Sequence, residues 1–64
     1  MKIYIEKDNK HVELGKSCTG KELLEELSIS ESTVLLVKNG EAVLADELLA
    51  ETDEIKILSV ISGG

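Results

Sequence analysis

The chain has 64 residues, which is expected to be a single domain near the lower size limit for folding alone. One Cys excludes an internal disulfide, and one Cys with one His are too few for a structural zinc site. The net charge is −6, from thirteen acidic residues against seven lysines and no arginine, which argues against nucleic-acid binding and favours a partner with a basic surface.

The first element predicted is a β-hairpin. In MKIYIE, residues 1–6, apolar and polar residues alternate, which predicts a half-buried strand with Tyr4 on its polar side. This alternation is unlike a signal peptide, and no segment has the length of a membrane span, so the expected location is the cytoplasm. A polar turn follows at residues 7–10, and Val12 and Leu14 predict the apolar side of a second strand.

A short helix is predicted next. Thr19 precedes KELLEEL, and Glu22 lies three residues after Thr19, which is the spacing of a capping box. The helix is expected from Gly20 to Leu27 or Ser28. Its leucines fall on one side and its glutamates on the other, so it should dock on a sheet.

The second half predicts another hairpin and a final strand. In TVLLVKNGEAVLA, residues 33–45, Asn39-Gly40 between apolar runs favours a type I′ turn. Residues 46–54 are predicted to form a polar connection, with Leu48 and Leu49 as core anchors. IKILSVI, residues 55–61, is the last strand, and the helix between the first and last strands favours their parallel pairing at the sheet centre.

Together these elements predict an α+β fold: a mixed four- to five-stranded sheet with one helix packed across one face. In the strands VLLVK and IKILSVI, both the odd-numbered and the even-numbered positions include apolar residues. The pattern alone therefore leaves open which residues face the helix.

The whole chain resembles the β-grasp, ubiquitin-like sulfur carriers of the ThiS/MoaD family. The resemblance rests on the small size, the β-β-α-β-β order, "VKNGEAV", "DEIKI" and the terminal "GG". The chain departs from thiamin-type carriers in having "ETDEI" where they usually have "DGDEV". It departs from molybdopterin-type carriers in having "LSVIS" where they often have prolines. Thiazole, a pterin dithiolene, tRNA and cysteine-type routes therefore all remain open as sulfur destinations.

The resemblance implies chemistry at the chain terminus. A ubiquitin-activating-type (ThiF/MoeB-like) enzyme would use ATP to adenylate the carboxylate of Gly64. Sulfur from a donor such as a cysteine desulfurase or rhodanese would then give a thiocarboxylate for a downstream synthase. Gly63 would provide clearance in a narrow channel, and residues 62–64 would form a flexible tail. The resemblance implies that the chain itself is a carrier and not an enzyme. It would have no catalytic residue and would bind no cofactor or metal. It would be monomeric when free.

The resemblance also selects the faces of the sheet. Val34, Leu36, Ile55 and Ile57 would face the helix, which leaves an exposed apolar surface beside the tail. Its members would be Leu35, Val37, Leu58 and Val60, with Ile61 and Ser62 continuing the partner-binding segment.

Two other functions use the same sequence features. The chain could be a protein modifier, joined through Gly64 to a target lysine, or a non-covalent β-grasp interaction module in which the tail is incidental. Neither Cys18 nor His11 is assigned a role: Cys18 is expected to be a half-buried thiol, and His11 an exposed residue of an edge strand.

Overall fold

A computed structural model describes residues 1–60, and residues 61–64 lie outside the described part. The strands are β1 Lys2–Ile5, β2 Lys10–Glu13, β3 Cys18–Thr19, β4 Val34–Lys38, β5 Glu41–Val43, β6 Leu48–Leu49 and β7 Glu54–Ser59. The helix α1 spans Gly20–Glu26, and a 3₁₀ turn spans Glu31–Thr33.

Five strands form one mixed sheet in the order β2-β1-β7-β4-β5. The central pair, β1 and β7, is parallel, with Ile3 beside Ile55 and Ile5 beside Ile57. The neighbouring pairs in this sheet are antiparallel. The predicted mixed sheet of four to five strands and its parallel centre are therefore confirmed, and the sheet has five strands.

The helix begins and packs as the sequence predicts. Thr19 accepts a hydrogen bond from the backbone N–H of Glu22, and the Glu22 carboxylate accepts one from the backbone N–H of Thr19, which completes the capping box. Leu23 and Leu24 are buried against the sheet. The helix ends at Glu26 with Leu27 as its C-cap, and Ser28 then takes the left-handed conformation with φ of 60°.

The core lies between α1 and one face of the sheet. It comprises Met1, Ile3, Ile5, Cys18, Leu23, Leu24, Leu36, Leu49, Ile55 and Ile57. In β1 and β7 every second residue faces this core, because successive side chains of a strand point to opposite faces of the sheet. Val12 and Leu14 pack against this core, so the predicted apolar side of β2 is also confirmed.

The second hairpin turns at Asn39 and Gly40, which have φ of 49° and 88° as a type I′ turn needs. The Asn39 side chain donates to Asp53 Oδ1 at 3.0 Å and accepts from the Glu54 N–H at 3.0 Å. Asp53 Oδ2 accepts from the Ala50 N–H at 2.8 Å. These bonds tie the hairpin to the loop that precedes β7.

Stability is expected to depend on the charge of Asp53. The Ala50 N–H, the Asn39 amide and the Lys38 ammonium together hold the pKa of the Asp53 carboxyl below its usual value. The unfolded chain therefore binds this proton at higher pH than the folded chain does. The stabilisation is fully present above the ordinary Asp range and is lost as pH falls through the folded pKa. Urea unfolding of the wild type and Asp53→Asn between neutral pH and pH about 3 should show a shallower acid dependence in the variant.

Four local features differ from the sequence predictions. Leu49 is buried but Leu48 is 65% exposed, because successive residues of β6 point to opposite sides. The pairing of β6 with β3 and the 3₁₀ turn were not predicted. Cys18 is buried at 8% exposure where half-burial was expected, since it lies in the β3–β6 ladder over the core.

Candidate functional site

The described chain ends at the sheet centre, beside an apolar surface. The backbone N–H of Val60, one residue past β7, donates to the carbonyl of Thr33 at 3.1 Å. This bond extends the pairing of β7 with β4 by one residue beyond the ends of the two strands. The predicted site residues Ile61, Ser62, Gly63 and Gly64 lie outside the described residues.

The four other predicted binding residues lie together on the sheet face opposite α1. Leu35 and Leu58 are direct cross-strand partners of β4 and β7. Leu35 is 40% exposed and Val60 55% exposed, whereas Val37 and Leu58 are half-buried. Their chain neighbours Leu36 and Ile57 face the core instead. These four residues are called the apolar patch below.

The sequence analysis missed two residues that extend the apolar patch across β5. Ala42 is the cross-strand partner of Val37 and is exposed. Leu44 lies two residues later, at the position that continues the same alternation, and is 75% exposed. The signal was present in GEAVLA, since pairing through the Asn39-Gly40 turn places Ala42 opposite Val37.

The other side of the apolar patch is bounded by polar and aromatic side chains. Lys56 of β7 is exposed and lies between Val37 of β4 and Tyr4 of β1 in the strand register. Tyr4 contacts His11 with ring centroids 4.8 Å apart, and its hydroxyl donates to Asn9 Oδ1 at 2.9 Å. An apolar centre with a polar border is the usual composition of a protein-binding surface.

Cys18 is the one cysteine of the chain, and its surroundings do not activate it. Burial, followed by the nearby Glu22 carboxylate, raises the pKa of the Cys18 thiol, which is the opposite of what an activated thiolate needs. No group of three or more His, Cys, Asp or Glu side chains within residues 1–60 is placed to hold a metal ion.

None of the helices formed within residues 1–60 is both long enough and apolar enough to cross a membrane.

Sequence comparison relates the chain to one protein family and to one sulfur carrier protein. The family described as "Small archaeal modifier protein 2" matches residues 1–61. The sulfur carrier protein TtuB of Thermus thermophilus is 35% identical over 57 residues, which cover 89% of this chain and 88% of that protein. The family match spans all the described strands and the apolar patch.

Structural comparison identifies the fold. The crystal structure of a thiamine biosynthesis protein (ThiS) from Geobacter metallireducens superposes with a TM-score of 0.66 at 21% identity, and each chain is covered completely. A solution structure of a thiamine biosynthesis protein from the same organism gives 0.61 at 23% identity, covering all of this chain and 88% of that one. The fold is therefore the β-grasp that the sequence resemblance predicted.

Proposed function

The chain belongs to the small archaeal modifier protein 2 family, within the ThiS/MoaD-type ubiquitin-like proteins, and on that premise we propose that it is a sulfur carrier acting through its C-terminal Gly-Gly. The observation that carries the proposal is the match to the sulfur carrier protein TtuB along 89% of the chain.

The proposed chemistry begins at the Gly64 carboxylate. A carboxylate oxygen attacks the α-phosphate of ATP on an adenylating enzyme and releases pyrophosphate, which leaves an acyl-adenylate. A persulfide on the donor protein then displaces AMP and gives an acyl disulfide. A thiol reduces that disulfide, so the chain keeps one sulfur as a terminal thiocarboxylate, and a disulfide forms between the donor and the reducing thiol. The product that receives the sulfur stays open among thiazole, dithiolene, tRNA and cysteine-type compounds.

The position of Val60 supports delivery of the terminus into a partner. Four residues follow Val60 in the sequence, so Gly64 can lie at most about 14 Å beyond it. A partner must therefore contact the surface around Val60 in order to hold Gly64 in its active site. The apolar patch, with Val60 as its member nearest the terminus, is the surface we assign to this contact.

A charge in the apolar patch should block activation while the fold survives. Val60→Asp places a carboxylate on a side chain that is 55% exposed, so folding should be little affected, but docking would bury an unpaired charge. We expect at least about a tenfold loss in kcat/KM for adenylation, measured by pyrophosphate exchange with the cognate enzyme.

The matched control is Leu48→Asp, which makes a similar change at a residue that is 65% exposed on β6, outside the apolar patch. It should retain the wild-type rate. Equal rates for Val60→Asp and the wild type would remove the apolar patch from the proposed interface.

The family description supports a second candidate function, that of a protein modifier. In this role a target lysine amine, in place of sulfur, attacks the activated Gly64 carbonyl, and the chain ends in an isopeptide bond. Both functions need the same adenylation step, so they differ only in the group that receives the acyl carbon.

Intact-mass analysis distinguishes these functions. The chain is incubated with ATP, the cognate adenylating enzyme and a persulfide donor, with and without added cell protein. A mass increase equal to exchange of one oxygen for sulfur supports the carrier, and lysine-linked products support the modifier. An unchanged mass in both incubations would contradict both proposals and leave a non-covalent interaction module.

A further inference from the structure

The outer edge of β2 has backbone groups available for another strand. β2 is the terminal strand of the sheet, and its inner edge bonds to β1. The Leu14 N–H donates to the Met1 carbonyl at 2.9 Å, which places even-numbered residues of β2 in the bonded positions. The N–H and C=O groups of His11 and Glu13 therefore point away from β1, where no strand within residues 1–60 pairs with them.

This edge is complementary to itself. When two copies of β2 pair antiparallel about Val12, His11 of each copy lies opposite Glu13 of the other. Both are outward-bonding positions, so the pair exchanges two backbone hydrogen bonds at each end. The two side chains are exposed and share the sheet face that carries Tyr4, so the imidazole N–H can donate to the carboxylate across the new interface.

The opposite edge of the sheet lacks this complementarity. β5 has only three residues, and its pairing with β4 leaves Ala42 as the single outward-bonding position. Antiparallel pairing of two copies about Ala42 would place Glu41 opposite Val43, which brings together a charge and an apolar side chain. The available backbone hydrogen bonds and the pairing of His11 with Glu13 therefore both favour β2.

We infer that a second copy of this chain pairs with the outer edge of β2, about a two-fold axis at Val12. Two five-stranded sheets then join into one continuous sheet of ten strands, with both apolar patches on one side and both helices on the other. This inference is independent of the chemistry at Gly64.

The association is weak and depends on concentration. A contact between two four-residue strands buries little surface, as in transient encounters. Each copy also carries a charge of −6, so long-range repulsion opposes pairing at low ionic strength. We therefore expect a monomer in dilute solution and pairing toward millimolar concentration at moderate salt.

Two single substitutions and their mixture test the pairing. H11E places a carboxylate opposite Glu13 of the second copy, and E13K places an ammonium opposite His11. Each variant alone should self-associate about tenfold more weakly than the wild type, since both cross-strand pairs lose their attraction. In an equimolar mixture, every altered position again faces an opposite charge, and heterodimers should recover the wild-type association.

Sedimentation velocity from micromolar to millimolar concentration measures the association, and amide chemical shifts locate it. Shifts should centre on His11, Val12 and Glu13. E25K is the matched control: it makes the same charge change as E13K on the exposed side of α1 and should not weaken pairing.

Three results would overturn the inference. They are a monomer throughout the concentration range, a mixture that associates no better than the single variants, and concentration-dependent shifts centred on Leu35 and Val60. The last result would assign self-association to the apolar patch. Circular dichroism of each variant tests whether the chain, including the β1–β2 hairpin, is folded. Because only folded chains can pair, recovery of association in the mixture also shows that both variants are folded.

Discussion

Deletion of Gly64 is expected to abolish adenylation while residues 1–60 remain folded. The deletion moves the terminal carboxylate back by one residue, about 3.5 Å along the chain. A misplacement of the reacting atom by about 1 Å can cost a hundredfold in rate, so the loss should be at least about a hundredfold. Pyrophosphate exchange with the cognate adenylating enzyme measures it, and circular dichroism checks the fold.

Gly64→Ala provides a finer test at the same position, since it keeps the chain length and adds only a Cβ beside the reactive carbon. It should also lower activation if the partner's channel admits only glycine. Gly15→Ala is the matched control, because a Cβ at Gly15 contacts nothing within 4 Å and the residue is remote from the terminus in sequence. Exchange at the wild-type rate by the chain lacking Gly64 would contradict the proposed site.

Gly20→Ala is expected to destabilise the fold by about 1–3 kcal/mol, although alanine normally favours a helix. A Cβ at Gly20 would overlap Leu36 Cδ1 and lie 3.0 Å from the Ala45 carbonyl oxygen. The Gly20 N–H donates to the Glu47 carbonyl at 3.0 Å, and the Lys21 N–H donates to the Ala45 carbonyl at 2.6 Å. The loop therefore cannot move away without losing these bonds.

Urea unfolding of Gly20→Ala and Gly15→Ala separates this steric effect from the general effect of replacing glycine. Gly15→Ala has open space around its Cβ, so its free energy of unfolding should stay within about 0.5 kcal/mol of the wild type. If Gly20→Ala proved as stable as Gly15→Ala, the loop around Ala45 would have to be more compliant than its hydrogen bonds imply.

Local chemistry explains which parts of the fold could be predicted. Asn39-Gly40 and the pair Thr19 and Glu22 act over two or three residues, so their sequence signals specify the hairpin and the helix start. The β3–β6 ladder joins residues about thirty positions apart through two residues on each side, and nothing local encodes it. The adjacent leucines of β6 are equally apolar, so only the ladder reveals that Leu49 is the buried one.

The candidate site could be predicted in part. The face of Leu35 and Val37 follows from strand alternation once the resemblance selects the helix side. Leu44 was missed because it lies just past β5, where the alternation was not followed. The roles of Gly63 and Gly64 rest on the resemblance and on the proposed function, and remain predictions.

The central position of β7 has a consequence for the order of folding. β7 is the last described strand to be synthesised, yet it pairs with both β1 and β4. A nascent chain that ends before Glu54 lacks the strand that joins the two hairpins, so it cannot assemble the sheet. The apolar patch draws residues from β4 and β7, and it therefore forms only after synthesis has passed Val60. Activating enzymes that recognise this surface would thus distinguish completed, folded chains from fragments still on the ribosome.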